Sequence, residues 1–396
     1  MSRRLWPILT AWTAGLFLAP LAAQSISLLP GDPLPGISAR EFEGFRVGLE
    51  EFVTTGTIDE GFGPAFNGNS CAACHSIPAI GGISPIAELR VGYRSPDGAF
   101  QPLDATGNTL IHLFSLPNHA CQEVAPDGIN VMARRIPIPL FGAGLVEAIP
   151  DEALLALADP LDRNGDGVQG RVSVVTDLAT GERRVGRFGW KAQVATLLTF
   201  SGDAYRNEMG VTNAVFPTEG TYDLSSDKLK GCKVTLDPED KQDPRSGLTA
   251  IEKFTLFMRF LAPIARGPID DTVRDGERVF TAVGCSACHV PALTTGPSAN
   301  PLFNRVVVPL FSDLLLHNIG TGDGIKQADS TASPEEIRTP ALWGLRLRRP
   351  FLHDGSAATI EEAIGRHQRE GEPARSGFAR LDERSRLALL AFLRSL

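Results

Sequence analysis

Two Cys-x-x-Cys-His runs, Cys71-Ala72-Ala73-Cys74-His75 and Cys285-Ser286-Ala287-Cys288-His289, hold the residues of this chain best spaced to do chemistry. Two thiols separated by two residues can bond both vinyl groups of one porphyrin. The residue that follows then lies beneath the iron as its proximal imidazole. The alternatives are a redox dithiol or half of a zinc site, each followed by a chance histidine. A histidine stands after both pairs, and the pairs absorb four of the six cysteines. That favours two covalently bound c-type haems, with His75 and His289 as proximal iron ligands.

Such sites need helices to hold them. Asp275-Gly276-Glu277-Arg278-Val279-Phe280 reads as the first helix of a small cytochrome c domain leading into Cys285. Residues 381–396 carry Leu387, Leu390, Phe392 and Leu393 at helical spacing and read as a closing helix packed across the first. Pro263, Gly267 and Pro268 mark a linker, so a C-terminal cytochrome c-like domain is expected over residues 268–396. The first pair follows the glycine- and asparagine-rich run 61–70 and precedes Gly81-Gly82. It falls in an N-terminal haem domain with inserted segments, residues 24–267. The stretch between the two sites mixes short β-like runs, such as Arg171 to Val175, with loops and a helix from Thr249 to Leu261. The expected fold class is mainly α: two cytochrome c-like haem domains with an irregular α+β insertion between the haem sites.

Arg3 and Arg4, the apolar stretch Leu5 to Leu21 and the small residues Ala22 and Ala23 give residues 1–23 the form of a signal peptide cut before Gln24. Pro7, Pro20 and the shortness of the stretch argue against a retained span, and no later segment is apolar for long enough to insert stably in a membrane. Haem of this type is attached outside the bacterial cytoplasm, so a periplasmic protein is expected. In that oxidising compartment the two remaining cysteines, Cys121 and Cys232, usually pair, the alternative being two buried free thiols. A net charge of −8 without charge blocks gives no sign of nucleic acid or an anionic membrane as partner. It is compatible with docking a small basic electron-carrier protein. Asp162, Asn164 and Asp166, followed by Gly167, match the opening of a calcium loop, although Ser173 stands where its closing glutamate belongs. One structural calcium ion or an Asx-rich surface turn would both produce this run.

Several longer segments resemble the bacterial di-haem oxidoreductases, a family also called thiol oxidoreductases. They are GFGPAFNGNSCAACHSIPAIGG from residue 61, LFGAGLVEAIPDEAL from 140, RFGWKAQVATL from 187, FSDLLLHNIG from 311 and RTPALWGLRLRRPFLHDGSAATIEEAIGRH from 338. The C-terminal third is more distantly similar to di-haem cytochrome c peroxidases and methylamine-dehydrogenase maturation enzymes. The resemblance implies two facing cytochrome c-like domains, one haem doing chemistry on peroxide or another small oxidant and one relaying electrons. It also implies an acidic residue in a distal pocket, loosely matched by Glu147, and a sixth iron ligand after the HDG motif, matched by His367. Thr359 and Glu362 form a capping pattern, and Ile360, Ala363, Ile364 and His367 share one helical face. The other reading of His367 is an exposed histidine at a helix C-terminus. No methionine follows Met258, so a methionine ligand from the C-terminal domain is excluded. His317 and His353 are weaker ligand candidates that could instead bond propionates or backbone. The N-terminal iron has His112, His119, Met132 and Met209 as candidate sixth ligands, or an open position. Trp190 is either a stepping stone between haems or a core residue. An enzyme of the peroxidase type, a non-enzymatic di-haem electron carrier and an oxidative modifier of another protein all fit these residues. No cysteine is left over to act as a reactive thiol.

Overall fold

The computed structural model describes residues 28–117, 121–222, 231–232 and 237–396. The expected signal peptide and His119 lie outside the described residues. The described residues form ten helices: α1 Ala39–Val53, α2 Cys71–Cys74, α3 Ala143–Glu147, α4 Asp151–Leu157, α5 Leu197–Met209, α6 Ala250–Phe260, α7 Asp271–Ala282, α8 Ile360–Gly365, α9 Glu372–Ala379 and α10 Glu383–Leu393. The longer ones start where the sequence supplies a cap. Ser38 with Glu41 and Thr249 with Glu252 form reciprocal capping boxes at α1 and α6, and Asp270 and Asp382 cap α7 and α10.

The expected pairing of the two C-terminal helices is present. Gly276 of α7 meets the backbone of α10 so closely that a Cβ there would collide with the carbonyl of Ala388. Beside this crossing Phe280 packs on Phe392, with ring centroids 5.1 Å apart. A matching pair, not foreseen from the sequence, joins α1 to α6. A Cβ on Gly48 would strike the backbone at Lys253 and Phe257, and Phe52 lies 4.7 Å from Phe257. In both pairs a glycine brings two helix backbones together, and the phenylalanine four residues later faces the neighbouring CxxCH histidine. Phe52 is 6.2 Å from His75 and Phe280 is 6.3 Å from His289. Each such buried ring contributes roughly 1.5–3 kcal/mol.

Between the two CxxCH sites the chain is mixed α and β. Strand Glu88–Arg94 pairs antiparallel with Val131–Arg135, Leu110–Ile111 and Phe100–Gln101, and Ser173–Thr176 pairs with Arg183–Gly186. Alternation along Val131–Arg135 sends Val131, Ala133 and Arg135 inward. Register sets Glu88 opposite Arg135, which brings a half-buried acid and a buried base to the same end of the sheet. One core cluster runs from Leu34 through α6 to Leu293, Phe303 and Leu310, so residues after the linker pack against those before it. A smaller cluster surrounds Phe280, Phe311 and Phe392. Cys121 and Cys232 are joined by a disulfide with Cα atoms 5.8 Å apart, tying down a long loop-rich excursion. Among the described residues no helix is long and apolar enough to cross a membrane.

Candidate haem sites

The first CxxCH forms one turn of helix, capped by the Ser70 hydroxyl, which accepts from the Ala73 N–H. The chain then reverses so that Gly82 offers its carbonyl to Nδ1–H of His75 at 2.8 Å. Only glycine fits at 82, because a Cβ would overlap the Ile77 carbonyl. With Nδ1 committed, Nε2 of His75 is left without a hydrogen bond among the described residues. Burial pushes this imidazole down to about 4, so it is neutral at pH 7 and its lone pair is available. Cys71, Cys74 and His75 together line a cavity of 1150 Å³, mouth included.

The second site repeats this chemistry with different parts. His289 donates Nδ1–H to the Phe311 carbonyl at 3.0 Å. That carbonyl is presented by a loop in which Phe311 and Leu314 both take positive φ, 51° and 61°. Such non-glycine conformations persist only where surrounding structure enforces them. Burial, and then the nearby His367, push the His289 ring down to about 4. Cys285, Cys288, His289 and His367 line a second cavity of 1840 Å³. Each cavity thus has a Cys-x-x-Cys-His segment in its wall and opens to solvent at its mouth.

Helix α8 ends at Gly365, so His367 sits on the turn just beyond it rather than on the helix itself. The Thr359 hydroxyl accepts from Glu362 N–H as expected, but the Glu362 carboxylate bonds Ala358 N–H, so the box is only half reciprocal. His367 donates Nδ1–H to the Ala363 carbonyl at 2.8 Å. Three imidazoles in the two cavities therefore share one arrangement: Nδ1 held by a backbone carbonyl, Nε2 without a hydrogen bond among the described residues. This is how metal-ligating histidines are oriented.

The other histidines are arranged differently. His317 bonds Asp313 through Nε2 and Glu370 through Nδ1, each at 2.8 Å. Burial opposes its charge, but Asp313 and Glu370 raise it well above the usual range, so no lone pair is free for iron. Cys288, Asp313 and His317 lie close enough to hold a metal, but Cys288 belongs to the attachment pair. His112 is likewise taken up by Glu123 and the Asn207 carbonyl. Met132 is 60% exposed, away from the first cavity, whereas Met209 does line it.

Glu147 stands outside both cavities. Its carboxylate accepts from Leu197 N–H at 2.7 Å, at the start of α5, and pairs with Arg259 at 3.0 Å. Asp162, Asn164 and Asp166 form a turn closed on itself: Asp162 accepts from Gly167 N–H, Asn164 from Asp166 N–H and Asp166 from Val168 N–H. Ser173, at the twelfth position, faces Ser330 instead of the loop. The geometry is that of an Asx-rich turn.

The sequence reading missed the acids that do enter the first cavity, Glu208 and Asp203 of α5. Burial, then Glu88, lifts the Glu208 carboxyl to about 7, although Asn67 donates to it at 2.8 Å. Burial and then Asp329 lift Asp203 to about 6. The available signal was the polar set Asp203, Asn207 and Glu208 on a helix whose Leu197, Tyr205 and Met209 are buried. The sheet adds Glu88, Arg90 and Arg135 to the same wall. Arg135 pairs with Asp323 at 2.7 Å, and Lys191 pairs with the same carboxylate at 3.0 Å. Burial would raise Asp323, but these two cations hold it down at about 2. Arg135 still has Nη2 buried without a partner. An orphaned guanidinium nitrogen beside a Cys-Cys-His wall suits a group that carries carboxylates, as haem does. Trp190, 5% exposed, donates Nε1–H to the Ile136 carbonyl at 2.9 Å and lines both cavities.

The chain is similar to several known proteins. Methylamine utilization protein MauG of Methylorubrum extorquens is 30% identical over 127 residues, which are 31% of this chain and 33% of MauG, so the match spans about a third of that relative. Among solved structures, a MauG-like protein associated with microbial copper homeostasis aligns over 69% of this chain and 94% of its own, at 19% identity and a TM-score of 0.33. The diheme peroxidase BthA from Burkholderia thailandensis aligns over 92% and 86%, at 15% identity and a TM-score of 0.40. The family model described as "Di-haem oxidoreductase, putative peroxidase" matches residues 121–396, more than half of the chain and inclusive of the second CxxCH. The chain belongs to the di-haem oxidoreductase family.

Proposed function

We propose that the protein is a periplasmic di-haem c-type oxidoreductase of the peroxidase type. Cys71, Cys74 and His75 would hold one haem and Cys285, Cys288, His289 and His367 the other; bound there, the first would supply peroxide activation and the second electron relay. The observation that carries this reading is the unequal furnishing of the cavities. The second holds His289 and His367, each with Nδ1 held by a backbone carbonyl and Nε2 turned to the cavity, so both would suit a single iron as ligands. The first holds one such imidazole, and in place of a second it offers carboxyls on α5.

The residues then divide the work. Glu208, whose carboxyl burial lifts to about 7, would hold and move a proton at its carboxylate when hydrogen peroxide enters the cavity. Asn67 orients that carboxyl through its 2.8 Å bond. Trp190, common to both walls, is the aromatic bridge between the sites. The mild negative charge suits a small basic electron carrier as redox partner. Export rests on the form of residues 1–23.

Mass spectrometry of the purified protein should find two haems, one on each cysteine pair. Electron paramagnetic resonance of the oxidised protein should show one high-spin and one low-spin iron. His367→Ala should turn the low-spin signal high-spin without preventing ligands from binding at the other iron. Two low-spin irons that refuse cyanide and peroxide would replace this reading with that of an electron carrier.

A further inference from the structure

Two buried guanidiniums in the wall of the second cavity lack the acid that the other buried arginines have. Arg90, Arg135 and Arg187 each pair with a carboxylate. Arg348, 8% exposed, has no ion pair among the described residues, and its Nε has no hydrogen-bond partner. Arg338, 4% exposed, gives Nε to the Gly189 carbonyl at 2.8 Å and Nη1 to the Thr339 carbonyl at 3.0 Å, but has no ion pair either. The acid whose charge it feels, Asp313, is bonded to His317. Burial pushes both guanidiniums down only to about 10, so both remain charged at neutral pH. A buried charge without a counterion is strongly unfavourable. The described residues supply none, so the cavity's occupant is the natural source of the anion.

These side chains surround Trp190. The Arg348 guanidinium carbon lies 5.8 Å from the indole ring, and the Arg338 backbone N–H donates to the Trp190 carbonyl at 2.8 Å. His353, 4% exposed, sits edge-on to the indole at 6.1 Å, with Nδ1 buried and unpartnered. A porphyrin carries its vinyl groups on two adjacent pyrroles and its propionates on the other two. Attachment through Cys285 and Cys288 therefore leaves both carboxylates on the opposite edge.

We propose that Arg338 and Arg348 bind the two propionates of the haem attached at Cys285 and Cys288, so that its carboxylate edge faces Trp190. The assignment rests on the di-haem reading above. Arg348 can present a bidentate guanidinium face and Arg338 its remaining Nη2. His353 completes the hydrogen bonding as a neutral imidazole, which burial favours. Both arginines are positioning residues: they fix which edge of the porphyrin meets the tryptophan. They also offset the negative charge of the propionates, which would otherwise disfavour electron uptake by the iron.

The test uses the haem-loaded protein as wild type, Arg348→Gln, Arg338→Gln and Arg348→Lys. Mass spectrometry first counts haem on each cysteine pair. Spectroelectrochemical titration then gives the midpoint potential of each haem, and resonance Raman gives the propionate bending bands. Each Gln variant should lower the potential of the second haem only and shift its propionate bands, and Arg348→Lys should restore most of the potential. Unchanged potential and bands in both Gln variants with two haems bound, or an equal fall at both haems, would overturn the assignment. Absence of haem from Cys285 and Cys288 would overturn the reading of the site, and this assignment with it.

Discussion

Replacing Glu208 with glutamine probes the first cavity at the atom on which the proposed chemistry turns. Glutamine has nearly the same volume and can still accept the 2.8 Å bond from Asn67, so packing and the start of the attachment segment are kept. What it cannot do is exchange a proton. A positioned acid–base group is worth roughly 10²–10⁴-fold in rate, and the bimolecular rate constant with hydrogen peroxide should fall by that factor. The pH dependence follows from the carboxyl's position near 7. Only the ionised form accepts a proton, and with the value raised that form is lost as pH falls through about 7. The wild-type rate constant should therefore drop about tenfold per pH unit below that point and level off above it. Stopped-flow mixing of the haem-loaded protein with peroxide, read in the Soret band, measures both. Glu147→Gln is the control, because its carboxylate serves Leu197 and Arg259 outside the cavity. A Glu208→Gln rate constant within about threefold of wild type, or a wild-type profile flat over about pH 5.5–8, would refute the argument.

Replacing Cys121 and Cys232 with serine opens a loop spanning 111 positions. Loop-entropy arguments put the loss at up to about 4.7 kcal/mol, and denaturant titration should show a clear fall in midpoint; an unchanged midpoint would mean the bridge contributes nothing. Gly276→Val drives a side chain into the Ala388 carbonyl and should destabilise the α7–α10 crossing by about 1–3 kcal/mol, visible as a lower thermal midpoint together with a perturbed spectrum at the second iron.

Where function depends on neighbours in sequence, the chain is legible. The CxxCH pairs and the capped start of α8 follow from local spacing, and the two helices of the α7–α10 pair are each legible from their own periodicity although their contact joins Gly276 to Ala388. His367 was found because the turn after a short helix keeps it near the line that the helix defines. Glu208 was missed because its place depends on a partner 141 positions away, Asn67, and on a sheet whose register brings Glu88 beside Arg135. A similar acid at 147 looked equivalent in sequence. Only the packing of α3 against α5 and α6 shows that it caps one helix and pairs with the other. The α1–α6 crossing was invisible for a related reason: Gly48 and Phe52 repeat the spacing of Gly276 and Phe280, but their partner helix follows a long irregular insertion.

That separation bears on the order in which the molecule can assemble. The bridge from Lys253 to Glu51, on the same helix pair, joins residues 202 positions apart, whereas the α7–α10 pair closes within the last third of the chain. Contacts between distant positions form late, because the entropy of closing the intervening loop must be overcome first. During synthesis the segment around Cys71 emerges early and waits, without its clamping helix, until α6 follows it out. The second segment receives α10 within the last third of the chain, after a shorter wait than the first. The half of the chain made first is thus completed under the longer delay, and its cysteine pair is the one most exposed to mispairing or to capture while the chain is still unfinished.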